Sequence, residues 1–128
     1  MRFEAPVAHL PLRYAVEDLD IDTDDGPIRI ARGEPILASY AAAGRDPKVH
    51  GDTADEFDVT RKNQAHLAFG YGVHLCLGAP LARMEAETAL LELFARFPSM
   101  RLAKDPADLG AISSFISNGH RSLPVYLA

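Results

Sequence analysis

A single cysteine in 128 residues rules out an intrachain disulfide and suits a reducing cytoplasm. No apolar run is long enough to span a bilayer, and the first residues have neither the basic nor the apolar region of a signal peptide. Membrane and secretory readings are therefore set aside. No basic stripe with interleaved aromatics is present, and a net charge of −5 argues against a nucleic-acid partner. There is no internal repeat and no low-complexity tract. What remains, 48% hydrophobic and 24% charged, is an ordinary globular balance with enough residues for one domain at most, taken as 1–128.

Along the chain, residues 1–11, with Pro6 and Pro11, read as irregular chain leading into a strand. Leu12, Tyr14 and Val16 alternate with polar or small residues, and Ile28 and Ile30 flank Arg29. With Asp24-Asp25-Gly26-Pro27 between them, the two runs predict a hairpin. The acidic stretch from Glu17 to Asp25 reads as a solvated turn. Pro35-Ile36-Leu37-Ala38 extends the second strand or begins a short helix, and both readings stay open. The polar stretch from Gly44 to Gln64 reads as a long loop, a length that is usually functional in a compact domain. From Leu77 to Phe97 the apolar residues recur at helical spacing, Pro80 fits the first turn, and Phe97-Pro98 ends the run. Arg83 with Glu87, and Glu92 with Arg96, stand four apart on that helix. Asn118-Gly119 followed by Ser122 to Leu127 reads as a final short hairpin.

Cys76 sits where a glycine-rich loop becomes this helix. The helix dipole and the unpaired N–H groups of Leu77, Gly78 and Ala79 favour an anionic sulfur there, and the thiolate is the metal-binding form. Gly70, Gly72 and Gly78 let backbone lie against a large flat partner. Phe69 supplies an apolar wall, and His74 is placed to donate to a carboxylate. Position alone leaves a small buried hydrophobe as the competing reading. Zinc needs three or four ligands, and His74-x-Cys76 is too little. A Cys–His nucleophile finds poor geometry two residues apart and no third orienting group. A dinucleotide loop lacks its third glycine, its preceding strand and its acid.

The full string Phe69-Gly70-x-Gly72-x-His74-x-Cys76-x-Gly78-x-x-Leu81-Ala82-Arg83-x-Glu85 closely resembles the haem-binding signature of bacterial cytochrome P450 enzymes. The resemblance implies an α+β, mainly helical fold. This chain would be its C-terminal part, with β-hairpins, a meander, the cysteine loop and the long helix that follows. It implies haem b ligated by Cys76, with haem-binding residues Arg13, Phe69, Gly70, His74, Cys76, Leu77, Gly78 and Ala82. Arg13 and His74 are the propionate candidates. The implied reaction inserts one atom of O2 into a small organic substrate, with electrons from a ferredoxin or flavoprotein and Arg83 as a candidate docking contact.

Arg45-Asp46-Pro47 and Phe57-Asp58-x-x-Arg61 look like the meander, with Arg61 its arginine. Arg2 stands where the arginine of an upstream Glu-x-x-Arg helix falls. Val7 to Leu10 and Phe115 to Ser117 match substrate-facing segments. His50 and His120 read as surface histidines. Family members are much longer, so the chain is expected to be a truncated piece with exposed apolar surfaces and marginal stability. Loose haem binding without coupled turnover, as in a non-catalytic haem-binding remnant, is the alternative.

Overall fold

Three two-stranded antiparallel sheets and one long helix make up the computed structural model, which describes residues 1–10 and 12–127. Pro11, assigned above to the irregular lead-in, lies outside the described residues. Strand β1 (Arg13–Tyr14) pairs with β4 (Pro35–Ile36), and β2 (Leu19–Thr23) with β3 (Gly26–Ile30). After the single-turn helices α1 (Tyr40–Ala43) and α2 (Pro47–His50) comes α3 (Ala79–Arg96). Strand β5 (Arg101–Leu102) then pairs with β6 (Val125–Tyr126).

The expected hairpin forms on the expected turn but with a different first strand. Its register runs from Leu19 opposite Ile30 to Thr23 opposite Gly26, and Gly26 takes a φ of 110° that side chains resist. Residues 12–17 are not its partner: Arg13 and Tyr14 pair instead with Ile36 and Pro35. Of the acidic stretch only Asp24 and Asp25 form the turn; Asp20 and Asp22 are strand positions, alternating with Leu19, Ile21 and Thr23. Asp18 anchors the hairpin base, accepting from the Arg32 amide at 2.9 Å and the Arg29 guanidinium at 2.6 Å. Those two bonds, the amide first, hold its carboxyl below the usual range. Asp24 at the turn pairs with Lys48.

Other boundaries shift for local reasons. Pro35-Ile36 is a strand of its own. The polar stretch holds α2, which Asp46 caps by accepting from the Lys48 amide, with Pro47 leading the helix. Helix α3 starts at Ala79 rather than Leu77, since Gly78 is its N-cap. Neither expected pair on α3 forms an ion pair among the described residues. Asn118-Gly119 does not turn Ser122 to Leu127 into a hairpin: β6 reaches β5 more than twenty residues earlier, and residues 119–121 pair antiparallel with 110–112 around the Ala111–His120 bridge. Among the described residues one helix is long, so this stretch is α+β with β-hairpins and few helices, as expected of this part of a fold that is mainly helical as a whole.

Burial is unusual. Among the described residues every buried apolar side chain is an alanine: Ala5, Ala15, Ala54, Ala68 and Ala79. Of the residues of α3, only Ala79 is buried. The accessible surface is 9984 Å², against roughly 6,700 Å² for a folded monomer of this mass. Backbone carbonyls gripped by guanidinium groups take the place of an apolar core. Arg2, buried, donates to the carbonyls of Gly44 at 2.7 Å, Ala54 at 2.6 Å and Glu56 at 2.9 Å. Arg45 donates to Phe3 O at 3.0 Å and pairs with Glu4 and Asp55. Glu4 in turn accepts from Asn118 at 2.7 Å, so the N-terminal segment ties the loop after α1 to the tail.

Removing the Arg2 guanidinium leaves the buried carbonyls of Gly44 and Ala54 without a donor. Arg2→Met is expected to lower the unfolding free energy by about 2–4 kcal/mol, whereas the exposed control Arg32→Met should stay within about 0.5 kcal/mol. Urea unfolding followed by far-ultraviolet circular dichroism measures both.

Candidate functional site

The loop from Phe69 to Gly78 is closed by its own backbone. The Cys76 amide donates to Phe69 O at 2.7 Å and the Gly70 amide to Leu67 O at 2.7 Å. A single 3-10 turn, Gly72–His74, fills the middle, with Leu75 N donating to Gly72 O at 3.1 Å. Gly70 is obligatory on two counts. Its φ is 77°, and a Cβ there would stand 2.6 Å from His74 O. Gly72 also has a positive φ, of 60°, but open space around it.

This closure delivers Cys76, exposed, immediately before the N-terminus of α3. The Ala79 amide is spent on Cys76 O at 3.2 Å, which corrects the expectation of three free N–H groups. Leu77 and Gly78 amides make no hydrogen bond to described residues, and a Cβ at Gly78 would lie 3.7 Å from the sulfur. These two N–H groups and the positive end of an eighteen-residue helix thus follow the sulfur directly along the chain.

A cavity of about 300 Å³ opens beside the sulfur, lined by Val7, Tyr40, Ala68, Phe69, His74 and Cys76 among others. The sequence had singled out Phe69, Gly70, His74 and Cys76; Tyr40 and Ala68 carried no local signal. Around it stand Tyr71, Val73, Leu75 and Leu77, all exposed, with Leu77 98% accessible. Ala82 is half-buried one turn into α3. Arg13 stands exposed on β1; its side chain makes no hydrogen bond to described residues and does not line this cavity. Among the described residues no three His, Cys, Asp or Glu side chains gather to hold a metal ion. One sulfur on an apolar, flat surface is a donor set suited to a metal that brings its own planar ligand, as haem does. The residues present fit that group.

Behind the loop, Arg83 lies over the Phe69 ring at 5.0 Å and His66 leans on the same ring at 5.9 Å. His66 Nδ1 accepts from the Ala68 amide at 3.2 Å. Burial, then the charges of the amino terminus and Arg83, hold this imidazole below its ordinary value. The meander arginine is equally anchored: Arg61 donates to His50 O at 2.9 Å and to Thr53 Oγ1 at 2.7 Å. Its Nε is buried without a partner, as is Nδ1 of His50, which is buried rather than a surface histidine. Arg61 and Arg2 line a second cavity of about 430 Å³ with Phe57, His66 and Arg83. Asp58, whose Oδ1 accepts from the Thr60 hydroxyl and amide, is held below the usual carboxylate range by those bonds.

The family model described as cytochrome P450 matches residues 1–107. The 2-hydroxy-5-methyl-1-naphthoate 7-hydroxylase of Streptomyces carzinostaticus is 50% identical over 99% of this chain and 30% of its own length. The 6-deoxyerythronolide B hydroxylase of Saccharopolyspora erythraea is 40% identical, again over 99% of this chain and 30% of itself. The solved structure of CYP154A1 from Streptomyces coelicolor A3(2) superposes with a TM-score of 0.87 at 61% identity, covering 99% of this chain and 31% of that one. The tirandamycin C-bound monooxygenase TamI gives 0.90 at 46%, with the same coverage. The chain thus spans about three tenths of the length of the relatives it matches.

Two outcomes follow from the loop. Gly70→Ala must displace His74 O, so the Cys76 amide, now held by Phe69 O, should exchange with solvent at least about tenfold faster, while Gly72→Ala should cost only about 1–2 kcal/mol of strain. Hydrogen-exchange mass spectrometry or NMR reads both. For His66, the folded-state value is lowered from an ordinary 6.5, so its contribution is complete above that pH and is lost as pH falls through the folded value. The thermal midpoint should therefore fall on acidification from about pH 7.5 to about pH 5.5, and His66→Gln should shrink that fall.

Proposed function

Because the chain belongs to the cytochrome P450 family, we propose that it is the C-terminal, haem-ligating portion of a monooxygenase that inserts one atom of O2 into a small organic substrate. The observation that carries this reading is the presentation of Cys76. A glycine-closed loop holds one exposed sulfur at the start of a long helix, beside an apolar cavity. Members of the family bind haem b, and haem bound here would supply the redox chemistry, one oxygen atom entering substrate and the other leaving as water.

Each residue has its part. Cys76 would supply the sulfur ligand, next to the Leu77 and Gly78 amides and the positive end of α3. Phe69 lines the cavity beside the sulfur, and with Ala82 it would close that side to water once haem is bound. Gly70 and Gly78 keep backbone low where a flat group must approach. His74, exposed at the cavity edge, would hold a propionate, and Arg13, exposed on β1 and outside that lining, is the second candidate on resemblance alone. Arg83 is committed to Phe69 and offers its charge to a ferredoxin or flavoprotein donor. Given relatives that hydroxylate a naphthoate and a deoxyerythronolide, the substrate is an apolar polyketide-like molecule. A cytoplasmic setting suits the free thiol, and no helix among the described residues is long and apolar enough to cross a membrane.

The cavity between Arg2 and Arg61 suits a carboxylate, since the buried Arg61 Nε has no partner. We read it as the seat of the glutamate of the Glu-x-x-Arg helix. The excess surface of the 128 residues favours a second reading for this length of chain alone: haem binding without coupled turnover, because the water-excluding wall across the cavity is missing.

The test is spectroscopic. Mixed with haem, reduced and exposed to carbon monoxide, the chain should show the shifted Soret band of thiolate ligation, and Cys76→Ser should abolish it. No haem uptake by the wild type, or an unchanged band in the variant, would sink the proposal.

A further inference from the structure

Asn118-Gly119 makes no hairpin turn here, and its surroundings suit a different event. Asn118 is exposed. Its Nδ2 donates to Glu4 Oε2 at 2.7 Å, and no described residue donates to its Oδ1. The Gly119 amide, the next nitrogen along the chain, makes no hydrogen bond to described residues. Nothing lies within 4 Å of where a Cβ of Gly119 would stand, and Gly119 does not use a positive φ. An unspent amide nitrogen with no side chain beside it is well placed to reach the carboxamide of the residue before it. Asn63, the chain's other asparagine, is the contrast. Its Nδ2 donates to Val49 O at 3.2 Å, its Oδ1 accepts from the Ala65 amide at 3.1 Å, and Gln64 follows it.

We propose that Asn118 is a site of deamidation, and that the reaction releases the tail from the N-terminal segment. Gly119 N attacks Asn118 Cγ, and the new Cγ–N bond closes a succinimide. The Cγ–Nδ2 bond breaks, and the proton of the Gly119 amide leaves with that nitrogen as ammonia. Water then opens the ring at one of its two carbonyls, leaving an aspartate or, with the chain now running through Cγ, an isoaspartate.

Either product replaces the Nδ2 donor by a carboxylate. Its neighbour is Glu4, whose Oε1 already pairs with Arg45, and two carboxylates so close repel. The bonds alongside tie the same two segments. Asn118 N donates to Pro6 O and Ala8 N to Ile116 O, both at 2.8 Å, with the Val7–Ser117 bridge between them. Pro6 and Val7 also line the cavity at Cys76, so the change loosens one wall of that cavity. The chemistry needs water alone and is independent of haem.

Peptide mapping by mass spectrometry with electron-transfer fragmentation, on the chain held in mildly alkaline buffer, follows both asparagines at once and separates isoaspartate from aspartate. Asn118 should convert at least about tenfold faster than Asn63, and Gly119→Ala, which the open space accepts, should slow it at least about tenfold. Equal rates at the two asparagines, which need no variant, would overturn the site, as would a rate unchanged by Gly119→Ala. Hydrogen exchange reads the release. Asn118→Asp should speed exchange of the Ala8 amide at least about fivefold, and adding Glu4→Gln, whose amide donates to the new carboxylate, should reverse it. Exchange indifferent to Asn118→Asp, or not restored by Glu4→Gln, would overturn the release.

Discussion

Guanidinium groups clasping backbone carbonyls are the constraint on which the rest of this structure depends. With only alanines buried among the described apolar side chains, there is little hydrophobic burial to order the long connection between α1 and the cysteine loop. Arg2 closes on carbonyls at the start and near the middle of that connection, at Gly44 and at Ala54 and Glu56, and Arg61 closes on Thr53 and His50. Charge-assisted bonds to backbone are strong where they are shielded from water. The tight approach is visible at Gly44, where a Cβ would stand 2.3 Å from Arg2 O. Two arginines thus replace what a cluster of leucines does in most domains.

The cysteine loop inherits this rigidity from one side and makes its own from the other. His66 and Arg83 grip Phe69, and Phe69 O in turn holds the Cys76 amide. Arg83 and His66 also line the cavity that Arg2 and Arg61 share. A ligand sulfur is useful only if its position does not drift, and here its backbone is fixed by a bond to the residue that the cation–aromatic stack holds in place. The exposed apolar residues around it, from Tyr71 to Leu77, are what a large planar cofactor would cover.

What could be read from the sequence follows from how local each signal is. The cysteine loop and α3 were legible because glycines, Pro80 and helical spacing act within a few residues. The turn of the β2–β3 hairpin was legible for the same reason. Its first strand was not, because aspartates at alternate positions look like a turn when only their charge is weighed. The pairings β1–β4 and β5–β6 involve two residues per strand and distant partners, so no periodicity reports them. Arg2 reads from the sequence only as the arginine of an upstream Glu-x-x-Arg helix and His50 as a surface histidine; only the tertiary fold supplies the carbonyls that surround Arg2 and the packing that buries His50. Arg13, drawn in by resemblance, remains apart from the cavity.

The central claim is that the Cys76 sulfur is presented to a haem. Its alkylation by iodoacetamide tests this directly, because the side chain is exposed in the free chain. The account predicts ready modification without haem and a rate at least about tenfold lower when one equivalent of haem is present, since a ligated thiolate is no longer a free nucleophile. An alkylation rate indifferent to haem would contradict it.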